Sequence, residues 1–202
     1  MLLSLKKLQE YRLKATDGVV GAIEGFYFVG SSITWMVRYF IIDIKEWFNE
    51  KRILVPPDVV GKPEGDLEIP ATATKEDIEN SRIFLDGSNL LKTNEIVGYT
   101  LTAKDGGVGY VEDIILEDDT WEIKYLVVGL LGYAHNKKVL LPVDYIDEVV
   151  EETKNIKLTL SKETVGRAPS YEPGKPITQE YEKAVREAYG IDDENQWDKG
   201  GG

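Results

Sequence analysis

The chain has 202 residues, 24 Lys and Arg against 36 Asp and Glu, a net charge of −12 and no cysteine. So large an excess of negative charge repels polyphosphates at long range, which argues against direct nucleic-acid or anionic-lipid partners and for basic proteins or cations. Without cysteine there are no disulfides, no thiolate nucleophile and no Cys-based zinc or iron–sulfur site. No stretch approaches the roughly 18 uninterrupted apolar residues of a spanning helix, since Phe40-Ile41-Ile42 is cut by Asp43, and the first seven residues lack the order of a signal peptide. The expectation is a cytoplasmic protein without a cofactor and without direct membrane insertion.

Leu5, Leu8 and Tyr11 lead into a first strand, and Thr16-Asp17-Gly18 reads as a tight hairpin turn, because Asp-Gly accepts the positive φ that such a turn demands. The next strand alternates, with Val20, Ala22, Phe26 and Phe28 expected inward. Gly21 within it marks a bulge or sharp bend rather than a binding site. Residues 35–43 alternate at first and then become continuously apolar, the pattern of a strand buried on both faces. A connection, residues 44–52, carries Trp47 and Phe48 ahead of Lys51-Arg52 and opens into the apolar strand Ile53-Leu54-Val55-Pro56. Pro57, Pro63 and Gly65 then break the chain. Leu67-Glu68-Ile69 is a further strand, and Thr74 can cap a helical turn with Glu76 and Asp77 in favourable first-turn places.

The same order then repeats. Tyr11, Asp17, Gly21 and Glu24 are each 88 residues from Tyr99, Asp105, Gly109 and Glu112; Trp35, Tyr39, Pro56 and Asp58 are each 86 from Trp121, Tyr125, Pro142 and Asp144; Lys75 is 87 from Lys162. The second copy again has inward candidates (Val111, Ile114, Leu116), a continuous apolar run over residues 121–128, a connection with Tyr133, His135 and Lys137-Lys138, a strand ending in Pro142, and a hydroxyl cap at Ser161. Two copies are too few for a solenoid, in which neighbouring units bury one another's faces. Each is therefore expected to be a closed module: residues 1–83, a linker at 84–93, and residues 94–166, the two packed about a pseudo-two-fold axis like an internal homodimer. In the extension, 167–202, an extended stretch precedes a helix over about 178–189, capped by Thr178 and ended by Gly190, with Tyr181, Ala184, Val185, Ala188 and Tyr189 on one face. That stripe is expected to lie against one of the modules or a second chain, and residues 192–202 to form a disordered tail.

Thr16-Asp17-Gly18, Gly21-x-Ile23-Glu24-Gly25-Phe26-Tyr27-Phe28 and Trp35-x-Val37-Arg38-Tyr39, answered by Asp105-Gly106, Gly109-x-Val111-Glu112-Asp113 and Trp121-x-Ile123-Lys124-Tyr125, resemble the opening of a PRC-barrel domain. The Pro-terminated strands resemble that family too. The resemblance implies a mainly β fold of two tandem small PRC-type β-barrels related by a pseudo-two-fold axis, with short helices and one C-terminal helix. The family includes the cytoplasmic part of the photosynthetic reaction-centre H subunit and the C-terminal domain of a ribosome-maturation factor, whose common denominator is docking onto a larger assembly. A non-catalytic protein-binding module, reaching a membrane only through its partner complex, is the implied function; self-association into a homo-oligomer is compatible with it. A fold alone does not assign a role. The alternative from a different class is a small-ligand or cation sensor that uses the acidic turns or a cleft between the halves.

No catalytic constellation stands out. His135 is the only histidine, so any Ser-His-Asp triad has to be built on it and a two-histidine metal site is excluded; a lone histidine beside Asn136-Lys137-Lys138 reads as a solvated loop residue. The glycines at 106, 107 and 109 read as hairpin and bulge, because strand rather than helix follows. Glu117-Asp118-Asp119 and Asp192-Asp193-Glu194 lack calcium-loop spacing and read as solvated charge. Glu24 and Glu112 are either buried carboxylates with shifted titration or partners of Arg38 and Lys124 on the neighbouring strand. The partner-binding candidates are the two aromatic-plus-basic connections, Trp47, Phe48, Lys51 and Arg52, and Tyr133, His135, Lys137 and Lys138, since Trp, Tyr and Arg are enriched at interaction hot spots. The competing reading packs Trp47 and Tyr133 beneath their own hairpins.

Overall fold

The protein is described here by a computed structural model covering residues 1–30, 35–45, 50–65, 67–81, 90–132 and 136–191. The first half runs β1 (Leu2–Ser4), α1 (Leu5–Leu8), β2 (Arg12–Ala15), β3 (Gly18–Gly30), β4 (Trp35–Lys45), β5 (Glu50–Val55), a 3-10 turn (Pro57–Val59), β6 (Glu68–Pro70) and α2 (Lys75–Asn80). The second runs β7 (Leu90–Lys92), α3 (Thr93–Ile96), β8 (Thr100–Ala103), β9 (Gly106–Glu117), β10 (Ile123–Leu130), β11 (Lys138–Pro142), a 3-10 turn (Val143–Tyr145), β12 (Ile146–Val150), β13 (Asn155–Leu158) and α4 (Lys162–Arg167). The helix α5 (Gln179–Ala188) follows. The fold is mainly β, with two sheets and short helices. One sheet has the order β11-β10-β9-β8-β13-β12, the other β5-β4-β3-β2-β6.

The leading strand of each half joins the other half's sheet. β1 pairs antiparallel with β9, Leu2 opposite Glu117 and Ser4 opposite Ile115. β7 pairs with β3, Leu90 opposite Val29 and Lys92 opposite Tyr27. These registers are equivalent, because Leu2 and Leu90, like Val29 and Glu117, are 88 residues apart. The exchange is therefore reciprocal. The short helices travel with their strands: Leu5, Leu8 and Ile96 are buried, and the Thr93 hydroxyl accepts from the Phe26 N–H at 3.0 Å. A single hydrophobic core runs through both halves, and Phe40 and Trp121 meet edge to face with centroids 4.8 Å apart.

Both Asp-Gly turns close two-residue hairpins, but the positive φ falls on Gly18 (+139°) and Gly106 (+129°), after the loop residues, rather than on the aspartates. The aspartates have a different task. Asp17 accepts from the Lys75 N–H at 2.9 Å and Asp105 from the Lys162 N–H at 2.7 Å, so each turn anchors the first residue of the helix that follows in its own half. Thr74 caps α2 in a capping box with Asp77, and Ser161 caps α4. Two readings need correction. Trp121 sits in the left-handed region at φ +55° ahead of β10 rather than inside it, because the bend that aims its ring at Phe40 outweighs the continuity of the apolar run. On α5, Ala184 is exposed while Val185 is buried, because the helix is seated along Val185 and Tyr189. Among the described residues no helix is long and apolar enough to cross a membrane.

Candidate docking groove

The site grows out of a defect in the β9–β10 ladder. Val128 lies opposite Val111 and Val127 opposite Asp113, which leaves Glu112 as an extra residue on β9. In the first half Ile42 lies opposite Ile23 and Ile41 opposite Gly25, leaving Glu24 in the same state. A bulge re-aims the side chain it carries. The two glutamates therefore do not meet Arg38 and Lys124, which are themselves the extra residues at the second bulge of each long hairpin. They reach one strand further, Glu24 to Arg52 and Glu112 to Lys138, and Glu24 also approaches Lys92 on the adjacent β7 at 3.8 Å. Lys124 instead bonds Glu122 at 2.6 Å.

Gly129 makes room for the second of these pairs. It lies opposite Tyr110 on one side and Lys138 on the other, so the Glu112 carboxylate crosses β10 above it. A Cβ at Gly129 would come within 2.4 Å of Glu112 Oε1 and 3.1 Å of Tyr110 Cζ. The result is an open groove of about 490 Å³ bounded by Lys6, Gly98, Tyr110, Glu112, Asn136 and Lys138. Tyr110 is 41% exposed, one of five large apolar side chains on the surface among the described residues. Lys6 comes from α1, so the strand exchange contributes one wall. Asn136, at φ +50°, turns the chain into β11.

The basic candidates read from the sequence have intramolecular partners: Lys51 with Glu79 at 3.0 Å, Arg52 with Glu24, Lys137 with the Gly166 carbonyl at 2.8 Å, and Lys138 with Glu112. Of these, the structure brings Lys138 to the groove. Trp47, Phe48, Tyr133 and His135 lie outside the described residues. Sequence reasoning missed Tyr110, Lys6, Asn136 and Gly129. An aromatic at an outward strand position was the one available signal, and it marked Tyr110; the rest depend on bulge and exchange geometry.

The acidic turn also has its own partners. Asp118 pairs with the amino group of Met1 and Asp119 with Lys62, both contacts joining the halves. Among the described residues there is no group of three or more His, Asp or Glu side chains able to hold a metal ion. The one strongly buried carboxyl on β9 is Asp113, whose Oδ1 accepts from the Ile114 and Lys6 N–H groups at 2.9 and 3.2 Å. Burial pushes its titration above the ordinary carboxylate value, and those two hydrogen bonds only partly oppose the shift.

Comparison with protein families matches residues 88–165 to the PRC-barrel domain. The matched segment begins just ahead of β7, the strand given to the other half. No curated protein matches the chain.

Proposed function

From the match of residues 88–165 to the PRC-barrel domain, we propose that this chain is a non-catalytic docking module that joins a larger protein assembly. The observation that carries the proposal is the groove itself, where an exposed aromatic, Tyr110, stands beside the half-buried Glu112–Lys138 pair on a scaffold locked by strand exchange. A rigid aromatic flanked by hydrogen-bonding groups is the make-up of an interaction hot spot. A net charge of −12 favours a basic protein partner over nucleic acid. In this reading the protein works in the cytoplasm and meets a membrane only through its partner.

Trp47, Phe48, Lys51 and Arg52, and Tyr133, His135, Lys137 and Lys138, are further partner-binding candidates of this reading. Tagged protein recovered from soluble and detergent-extracted fractions of its source is expected to carry one reproducible partner. That partner is lost on Tyr110→Ser or in the Trp47→Ala/Tyr133→Ala double variant, with Tm held within a few degrees. Equal recovery by all three proteins sinks the reading.

The polar lining of the same groove supports a second reading, a small-ligand or cation sensor. A Tm raised by Ca²⁺, Mg²⁺ or a common metabolite would favour it over docking.

A further inference from the structure

The helix α5 packs against the second half, and by the repeat the first half presents a corresponding region that carries no such helix among the described residues. In the second half α5 occupies its seat. The Tyr125 hydroxyl donates to Glu182 Oε1 at 2.8 Å and the Tyr145 hydroxyl to the Tyr189 carbonyl at 2.7 Å; the Tyr145 and Tyr189 rings lie 5.7 Å apart, and Val185 is fully buried. Tyr181, Val185 and Tyr189 form the stripe, each four residues from the next. In the first half no counterpart of α5 exists among the described residues. A groove of about 140 Å³ opens there between the end of β5, the Pro57–Val59 turn and α2, lined by Leu54, Pro56, Val59, Ala73, Asp77 and Ile78.

The differences between the two regions are informative. By the repeat, Leu54 and Pro56 answer to Leu140 and Pro142. The latter two are buried and the former two half-buried. Val59 stands where the second half has Tyr145, and Ala73 where it has Leu160, so the open seat is deeper. Asp77 stands where the second half has Thr164. The hydroxyl and N–H of Thr74 hold the Asp77 carboxyl below the ordinary carboxylate range, so it is charged at neutral pH. Asp58 and Glu76, both exposed, add to the same acidic rim.

We propose that this groove seats an amphipathic helix of a partner protein, with aromatic or long aliphatic anchors at i, i+4 and i+8 and a cationic flank facing Asp77. Recognition of this kind lays the apolar stripe of a helix into a preformed groove. The deeper floor calls for a larger anchor than α5 supplies, and the acidic rim selects basic residues. The α5 of a second copy fits poorly, because it carries Glu180, Glu182 and Glu187 and is already seated at home. This surface is separate from the Tyr110 groove, so the failure of one leaves the other standing.

The probe is a synthetic peptide with the sequence of residues 178–191 carrying Glu180→Lys, Glu182→Lys, Glu187→Lys and Tyr189→Trp, titrated into the full isotope-labelled chain and followed by methyl NMR. Saturable shifts at Leu54, Val59, Ala73 and Ile78, with Val185 unmoved, are expected. The double variant Val59→Tyr/Ala73→Leu rebuilds the floor with residues the second half already accommodates, and it weakens binding about tenfold or more. Asp77→Thr weakens it less and reduces its salt dependence. Shifts centred on Val185 and Tyr145, unchanged affinity in the double variant, absence of saturable shifts, or burial of Leu54 and Ile78 by self-association of the chain alone would each overturn the proposal.

Discussion

The Oε1 of Glu112 lies 2.4 Å from the point where a side chain on Gly129 would begin. The carboxylate thus uses the one gap in β10 that lets it cross to Lys138. Gly109, on the neighbouring strand, is a different case: a Cβ there would meet the Gly129 carbonyl oxygen at 2.0 Å, which is backbone and cannot swing aside. Gly109→Ala is therefore expected to destabilise the protein by about 3 kcal/mol or more. Gly129→Ala only displaces a flexible side chain from a partly exposed ion pair and should cost about 1 kcal/mol, while changing the groove. Denaturant melts of the two variants check the order; equal losses would contradict this account.

The reciprocal exchange of β1 and β7 makes the halves one cooperative unit. Leu8, fully buried in the exchanged segment, is the place to test it. Leu8→Ala should cost about 2–5 kcal/mol. It should keep a single unfolding transition with coincident far-ultraviolet and tryptophan signals. Two separated transitions, in the variant or in the parent, would mean that the halves fold independently.

Asp113 carries a folded-state titration raised by burial. An acid of this kind holds its proton more tightly folded than unfolded, so its contribution to stability is largest below the ordinary carboxylate value and falls as pH rises towards the raised one. Asp113→Asn keeps an oxygen acceptor for the Lys6 and Ile114 N–H groups and removes the charge. Across the mildly acidic range the variant should show a flatter pH profile of Tm than the parent, and at neutral pH a Tm at or above the parent's. An unchanged profile would show that Asp113 does not set it.

The seat of α5 holds a cluster of tyrosines whose hydroxyls titrate high. Burial pushes Tyr181 up to about 12, and raises Tyr125, Tyr145 and Tyr189 as well, with the Glu182 carboxylate adding to the shift at Tyr125. Stability from these groups is complete below the ordinary tyrosine value and is lost as pH climbs past it. Val185→Asp should lift α5 and return part of the tyrosine absorbance change to the ordinary alkaline range. A titration curve identical to the parent's would place the helix elsewhere.

The repeat, the hairpins with their Asp-Gly turns, the capped short helices and the stripe of α5 were legible in the sequence, because each depends on residues near one another in the chain: periodicity, turn chemistry and capping. The pairing of Glu24 and Glu112 was not. Adjacent-strand logic pointed to Arg38 and Lys124, but the bulges at Glu24, Arg38, Glu112 and Lys124 shift those side chains out of step. A bulge is a property of the register between two strands, so neither strand's sequence states it alone.

By itself, the sequence determined that this protein is two copies of one mainly β unit followed by a single helix, because a repeated pattern of strand, turn and cap residues folds locally the same way twice. Only the tertiary structure decided that the copies trade their first strands, that α5 packs against the second half, and that Tyr110, Glu112, Lys138 and Lys6 share a groove. Those outcomes rest on contacts between residues up to more than a hundred positions apart. Burial of apolar surface selects among such contacts without leaving a local trace in the chain.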